Sequence, residues 1–119
     1  MLKKWLVSFG WAKNGLKTVW LEEQNFRLEC MIGFFVLLVA IFFKFNFVEL
    51  LAIIIAVIFV ISAEIVNTAI EDLCNKVEPN QDPIIGKVKD TMAGFVLVIS
   101  VGASVIGFIV LANHFLNIF

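Results

Sequence analysis

Three polar side chains share one face of an otherwise apolar segment of the sequence. Glu64, Asn67 and Glu71 follow a long run of apolar residues that begins near Leu50. At about 100° per residue, the two glutamates lie only about 20° apart around a helix, and Asn67 lies beside them. A carboxylate in this position could act as a general base, and a second one could help to hold a divalent cation.

The predicted depth of Glu64 in the membrane indicates that the residue has a specific role. A helix rises roughly 21 Å from Leu50 to Glu64, which leaves Glu64 inside a hydrocarbon layer of about 30 Å. An acidic residue there costs on the order of 2.5–3.5 kcal/mol to insert, so it usually lines a site or a pathway. In the simpler alternative, Glu64 pairs with a lysine or a backbone group and serves packing alone.

Further carboxylates lie near the other apolar runs. Glu22, Glu23 and Glu29 surround the start of the first run, and Asp90 directly precedes the third. Asp90 is equally suited to be the N-cap of the helix that follows it. Carboxylates converging from three helices would suit Mg²⁺, which takes one or two protein carboxylates together with substrate phosphates.

The composition indicates a membrane protein. Of the 119 residues, 61% are hydrophobic and only 16% are charged, and the mean hydropathy is +1.01. Soluble domains carry about 25% charged residues. No run of Lys and Arg points to nucleic acid, and Cys30 and Cys74 lack the spacing of a zinc site or a disulfide framework.

The pattern predicts a single all-α integral membrane domain with one surface helix and three transmembrane helices. Residues 1–26 combine a helical apolar stripe with lysines and three Trp, which is typical of a helix lying in the membrane interface. Apolar stretches predict transmembrane helices at about 28–47, 50–70 and 91–112. The polar residues 71–90 are expected to form a loop.

The distribution of cationic residues predicts the orientation. Most Lys and Arg residues either precede the first span or lie in the polar loop, namely Lys3, Lys4, Lys13, Lys17, Arg27, Lys76, Lys87 and Lys89. The opposite side receives only Lys44. By the positive-inside rule, the N-terminus and the polar loop face the cytoplasm, where ATP is available. The sequence has no P-loop motif, so ATP would have to bind in another way.

Three segments of the sequence resemble a known family. Glu-Ile-Val-Asn-Thr-Ala-Ile-Glu at 64–71 resembles the signature of the prokaryotic diacylglycerol kinase family, which includes the undecaprenol kinases. Residues 20–27 resemble the family's segment before the first span, and residues 89–94 resemble the start of its third span. The resemblance covers nearly the whole chain.

The resemblance implies a homotrimer in the bacterial inner membrane, with active sites between subunits at the cytoplasmic interface. The co-substrates would be Mg-ATP and a lipid alcohol. Glu64 would be the catalytic base and Asn67 would orient it, while Glu23 and Glu71 would hold Mg²⁺. Residues implied to contact ATP are Lys4, Trp11, Glu23, Glu71, Asn80, Gln81, Asp82, Lys89 and Asp90. Glu64 and Ala93 would contact the lipid.

Three positions depart from the family pattern, and two questions stay open. Asn75 stands where the family usually has Asp, Lys4 where known members have Arg, and Ala93 where Ser is common. The acceptor is diacylglycerol or undecaprenol, and the sequence favours neither. The alternative function is a small transporter or channel subunit in which Glu64 carries protons or ions, although such a protein has no need of Glu23 and Glu71.

Overall fold

The computed structural model describes residues 1–118, and the regular structure in that range consists of four α-helices. They are α1 (Leu2–Glu22), α2 (Gln24–Phe42), α3 (Phe47–Val77) and α4 (Pro83–Leu116). Helices α2, α3 and α4 are each long and apolar enough to cross a membrane. The predicted fold class, an all-α membrane protein with one N-terminal helix followed by three helices able to span the membrane, is confirmed. The trimer and the interfacial position of α1 stay predictions.

The predicted polar loop at 71–90 is mostly helical. Helix α3 continues to Val77 and α4 begins at Pro83, so only residues 78–82 connect them. Helix α3 ends because Glu78 precedes Pro79, and the residue before a proline is driven to extended backbone; Glu78 has φ −146° and ψ 98°. The polar residues from Glu71 onward therefore show where the apolar part of α3 ends, whereas Pro79 determines where the helix itself ends.

The N-cap of α4 is Asp82, so the alternative reading of Asp90 as a cap is wrong. The Asp82 Oδ1 atom accepts hydrogen bonds from the backbone N–H groups of Ile84 and Ile85 at 2.9 and 3.0 Å. Pro83 follows at the first helical position, where its missing N–H costs nothing. Asp90 lies about two turns inside α4 and is exposed.

The turn between α2 and α3 is fixed by a reciprocal cap. The Asn46 side chain accepts from the Glu49 backbone N–H at 2.9 Å, and the Glu49 carboxylate accepts from the Asn46 backbone N–H at 2.9 Å. This capping box satisfies two backbone donors at the start of α3. Lys44, with φ 56°, makes the left-handed step that reverses the chain.

Helix α3 is the centre of the molecule. Helices α2 and α4 pack against it, and α1 makes a smaller contact with it. The close approach of α2 to α3 depends on Gly33, since a Cβ there would lie 2.7 Å from Cγ1 of Val57. In the described part of the chain the backbones of α2 and α4 do not approach each other closely, although Ala40 and Val110 share one core cluster. A cavity of about 690 Å³ lies among α2, α3 and α4 instead.

Helix α1 runs without interruption through Gly10 and Gly15. Its one buried residue is Val19. Large apolar side chains cover the outside of all four helices, among them Trp5 and Phe108, which are 60% and 73% exposed. Apolar surface on this scale marks contact with lipid or with another protein.

Candidate functional site

The polar face predicted for α3 is present. Glu64 is buried, with 5% of its surface exposed, and Asn67 and Glu71 on the same face are half-buried. The Thr68 hydroxyl donates to the Glu64 carbonyl oxygen at 2.9 Å, so that hydroxyl is satisfied within the helix. Glu64 and Glu71 are separated by a rise of roughly 10 Å. The two carboxyl groups therefore stand at successive depths along one side of the central helix.

Two more carboxylates join this face from the α1–α2 side. Glu23, Glu29 and Glu71 lie close enough to Glu64 for their carboxyl groups to act on it. We call Glu23, Glu29, Glu64 and Glu71 the carboxylate cluster. It combines residues from the α1–α2 junction, from α2 and from α3.

The α1–α2 junction that carries Glu23 is held by an arginine. Glu23 has extended backbone, with φ −109° and ψ 108°, so the helical backbone is interrupted there between α1 and α2. Nη1 of Arg27 reaches back to donate to the carbonyl oxygens of Trp20 and Leu21, at 2.6 and 3.1 Å. These are end-of-helix carbonyls without a partner inside α1. Arg27 therefore fixes the angle at which Glu23 meets the bundle.

Glu29 was predicted only as one of the carboxylates near the start of the first span, without a role of its own. Its Oε2 atom is buried and has no hydrogen-bond partner within residues 1–118. Such atoms are rare in folded proteins, because an unpaired buried oxygen loses its hydration without compensation. The sequence placed Glu29 near the start of the first apolar run, but its proximity to Glu64 follows from the packing of α2 on α3.

The carboxylate cluster suits a hard cation such as Mg²⁺ whose remaining ligands are water and phosphate oxygens. No three His, Cys, Asp or Glu side chains in the described range come close enough to hold a metal ion alone. Mg²⁺ usually takes only one or two protein carboxylates and completes its shell with water and phosphate oxygens. The oxygen-only donors of the cluster and the unpartnered Oε2 of Glu29 agree with that requirement.

Lys89 on α4 reaches the same end of the bundle. Its Nζ atom donates to Oδ1 of Asn75 on α3 at 2.7 Å. Asn75 lies one helical turn beyond Glu71, so this hydrogen bond places a cation next to the carboxylate cluster along α3. Asp90, the next residue on α4, is exposed.

The remaining predicted contacts are spread over the surface. Asn80 and Gln81 are exposed in the α3–α4 connection, where the Asn80 backbone N–H donates to Glu78 Oε1 at 3.0 Å. Asp82 caps α4, and Ala93 is exposed on it.

Lys4 and Trp11 are exposed on α1. Trp11 is separated from Glu23 by roughly 18 Å along the helix. Within one chain these two residues are not brought to the carboxylate cluster.

The cavity among α2, α3 and α4 has mainly apolar walls and includes Glu29 in its lining. Its volume of about 690 Å³ lies in the range of small-molecule sites. An apolar space that ends at a carboxylate suits an amphiphile, since the chain is shielded from water while a polar head meets the cluster.

Comparisons with known proteins agree with this geometry. The sequence model of the family described as prokaryotic diacylglycerol kinase matches residues 10–111. The chain is 26% identical to the diacylglycerol kinase of Escherichia coli (strain K12) over 106 residues, which are 89% of this chain and 87% of that protein. It is 27% identical to the undecaprenol kinase of Bacillus subtilis (strain 168) over 109 residues, 92% of this chain and 89% of that protein.

A third relative, the diacylglycerol kinase of Helicobacter pylori, is 26% identical over 88 residues, 74% of this chain and 69% of that protein. These relatives are named as kinases, and none of them favours the transporter or channel alternative. The chain therefore belongs to the prokaryotic diacylglycerol kinase family, and the predicted helical, membrane-embedded lipid kinase is confirmed.

Proposed function

We propose that this protein transfers the γ-phosphate of Mg-ATP to the hydroxyl of a membrane lipid at the end of the bundle that carries the carboxylate cluster. The observation that supports this most is the environment of Glu64. Its carboxyl group is buried in an apolar helix, and its neighbours are three further carboxyl groups rather than cations. Such an arrangement destabilises the protein by itself, because like charges repel at short distance.

Glu64 serves as the general base. It takes the proton from the lipid hydroxyl while the hydroxyl oxygen bonds to the γ-phosphorus. The bond from that phosphorus to the oxygen bridging the β- and γ-phosphates breaks, and ADP leaves. Phosphoryl transfer requires mainly positioning and neutralisation of charge from a protein. A base at this depth meets a lipid hydroxyl, whereas water-soluble alcohols are excluded.

Two neighbours position the base. Glu29 lies beside Glu64, so it would restrict the rotamers of that carboxyl group and could share its proton. Asn67 lies one turn from Glu64 on the same face of α3 and orients the carboxyl group through its amide.

Glu23 and Glu71 would hold Mg²⁺ together with the ATP phosphates, and the ion would supply neutralisation of the phosphate charge. Lys89 and Asp90 on α4 and the segment Asn80, Gln81 and Asp82 would contact the nucleotide. The proximity of Lys89 to the α3 face supports this assignment.

We propose further that the protein is a homotrimer in the bacterial inner membrane, with the N-terminus and the α3–α4 connection in the cytoplasm. The positive-inside distribution of Lys and Arg supports the orientation. The exposed apolar faces of the helices support association. Lys4 and Trp11, which stand away from the cluster of their own chain, would then serve a site on a neighbouring protomer.

A direct assay tests the reaction. The purified protein in mixed micelles is given Mg-ATP with diacylglycerol in one series and undecaprenol in another. Phosphorylation of either lipid that depends on Mg²⁺ is the expected result, and the ratio of the two rates identifies the acceptor. A protein that is folded and helical but phosphorylates neither lipid contradicts the proposal.

A further inference from the structure

One cation at the active end is anchored by an uncharged partner. The Lys89 ammonium donates to the Asn75 amide oxygen at 2.7 Å, linking α4 to α3 across the connection at 78–82. Within residues 1–118 no Lys or Arg nitrogen lies within 4.0 Å of a carboxylate oxygen, and the one acid–base pair at that distance is Glu49 with His114. Among the described residues, Lys89 is thus held in place by a neutral partner and forms no direct ion pair.

The chemistry of the two groups explains why this matters. A lysine ammonium has three N–H donors, and an amide oxygen uses one of them without changing the charge. The other two N–H groups remain free for an anion. A carboxylate in place of the amide would hold the ammonium equally well but would also neutralise it. An aliphatic side chain would leave the charge intact but would let the flexible stem move.

We propose that Asn75 is a positioning residue that fixes the Lys89 ammonium without neutralising it, so that Lys89 is available to the polyphosphate of the nucleotide. This inference rests on the proposed function, in which Lys89 contacts ATP. Asn75 acts through Lys89 and touches no substrate itself. The neutral amide at position 75 therefore determines affinity for ATP and leaves affinity for the lipid unaffected.

Steady-state kinetics of four variants test this, namely Asn75→Asp, Asn75→Ala, Lys89→Ala and the double variant of Asn75→Asp with Lys89→Ala. We expect Asn75→Asp to raise the KM for ATP about threefold at low salt, the order of magnitude of an exposed ion pair. The KM for the lipid should not change. In the wild-type protein the KM for ATP should rise with ionic strength, because salt screens the ammonium, and this rise should be smaller in Asn75→Asp.

The double variant decides whether Asn75 acts through Lys89. We expect Asn75→Asp to have no further effect on the KM for ATP once Lys89 is alanine, since interacting residues are non-additive. Asn117→Asp serves as a control, because it adds the same charge at the opposite end of α4. Thermal unfolding of every variant in the same micelles identifies losses that come from folding. If Asn75→Asp does not fold, Asn75→Ala tests the anchoring of Lys89 alone, and it should raise the KM for ATP only when Lys89 is present.

The outcomes separate this inference from the proposed function. If Lys89→Ala raises the KM for ATP while both Asn75 variants leave it unchanged, Asn75 has no positioning role. An equal effect of Asn75→Asp with and without Lys89 also overturns the inference. If Lys89→Ala leaves the KM for ATP unchanged while the wild-type protein phosphorylates lipid, the nucleotide role of Lys89 fails and this inference with it, but the kinase reaction stands.

Discussion

Helix α3 carries two buried glutamates, one in its first turn and one near its middle, and they differ in what surrounds them. Glu49 is 6% exposed, and its carboxylate accepts from the Asn46 backbone N–H at 2.9 Å, the Asn113 amide at 3.1 Å and the His114 ring at 2.9 Å. Glu64 is 5% exposed. Among residues 1–118 no side-chain or backbone donor bonds to its carboxyl group, and its neighbours are the carboxyl groups of Glu23, Glu29 and Glu71.

The comparison separates a structural glutamate from the one that we propose takes part in the chemistry. Glu49 joins the start of α3 to the end of α4, and His114 extends the link to the Phe43 carbonyl oxygen at 3.0 Å. Phe45 stacks on the His114 ring with centroids 4.0 Å apart. All of these contacts lower the cost of burying the carboxylate. Glu64 lacks such donors, which agrees with our proposal that a bound substrate supplies the missing contacts.

The largest effect is expected for removal of the base. Glu64→Gln keeps the shape of the side chain but cannot take a proton from the lipid hydroxyl. We expect turnover to fall by about 10²- to 10⁴-fold, with little change in the KM for ATP. The measurement is the initial rate of lipid phosphorylation in micelles. Glu22→Gln is the matched control, since Glu22 is exposed beside the junction and lies outside the carboxylate cluster.

Loss of a metal-binding carboxylate should be the next largest effect. Glu71→Ala removes one of the two carboxylates proposed to hold Mg²⁺. Turnover should be lost at ordinary Mg²⁺ concentrations and partly recovered at much higher ones. A titration of the rate against Mg²⁺ measures this, with Asp72→Ala as the exposed neighbouring control. A curve that matches that of the wild-type protein removes Glu71 from the metal site.

At the other end of α3 the effect should be on stability. The Glu49 carboxylate accepts from the Asn46 backbone N–H, the Asn113 amide and the His114 ring. Glu49→Gln replaces one carboxylate oxygen by an NH₂ group, so at least one of these donors loses its acceptor. We expect a loss of about 1–3 kcal/mol in the free energy of unfolding. Turnover per folded molecule should be unchanged. Denaturant titration of the protein in micelles measures the loss, and a Glu49→Gln protein of normal stability and low turnover would refute the structural role.

The smallest effect is expected at the α1–α2 junction. Arg27→Ala leaves the carbonyl oxygens of Trp20 and Leu21 to water and loosens the position of Glu23. We expect a loss of about 1 kcal/mol in stability and a modest rise in the Mg²⁺ concentration needed for half-maximal rate. If the stability falls while the Mg²⁺ requirement stays the same, Arg27 supports the helices but does not position Glu23.

The sequence predicted those parts of the site that lie on one helix. The shared face of Glu64, Asn67 and Glu71 follows from helical spacing alone, and the three long helices follow from apolar length. The ends of α3 and α4 were less predictable, because the polar stretch between them was read as a loop. Its helical content depends on the Asp82 cap and on where Pro79 and Pro83 stand.

Contacts between helices could not be predicted from spacing. The approach of Glu29 to Glu64 depends on the close packing of α2 on α3. The bond from His114 to Glu49 joins residues 65 positions apart. No local pattern encodes such pairs, because they depend on the relative rotation of packed helices.

The most direct test is the unfolding free energy of Glu64→Gln and Glu49→Gln, measured side by side in the same micelles without nucleotide. If Glu64 is buried for chemistry, its replacement relieves repulsion within the carboxylate cluster, and Glu64→Gln should be at least as stable as the wild-type protein. Glu49→Gln should be less stable. A Glu64→Gln protein that is destabilised as much as Glu49→Gln would show that both glutamates hold the fold together, and would contradict the account.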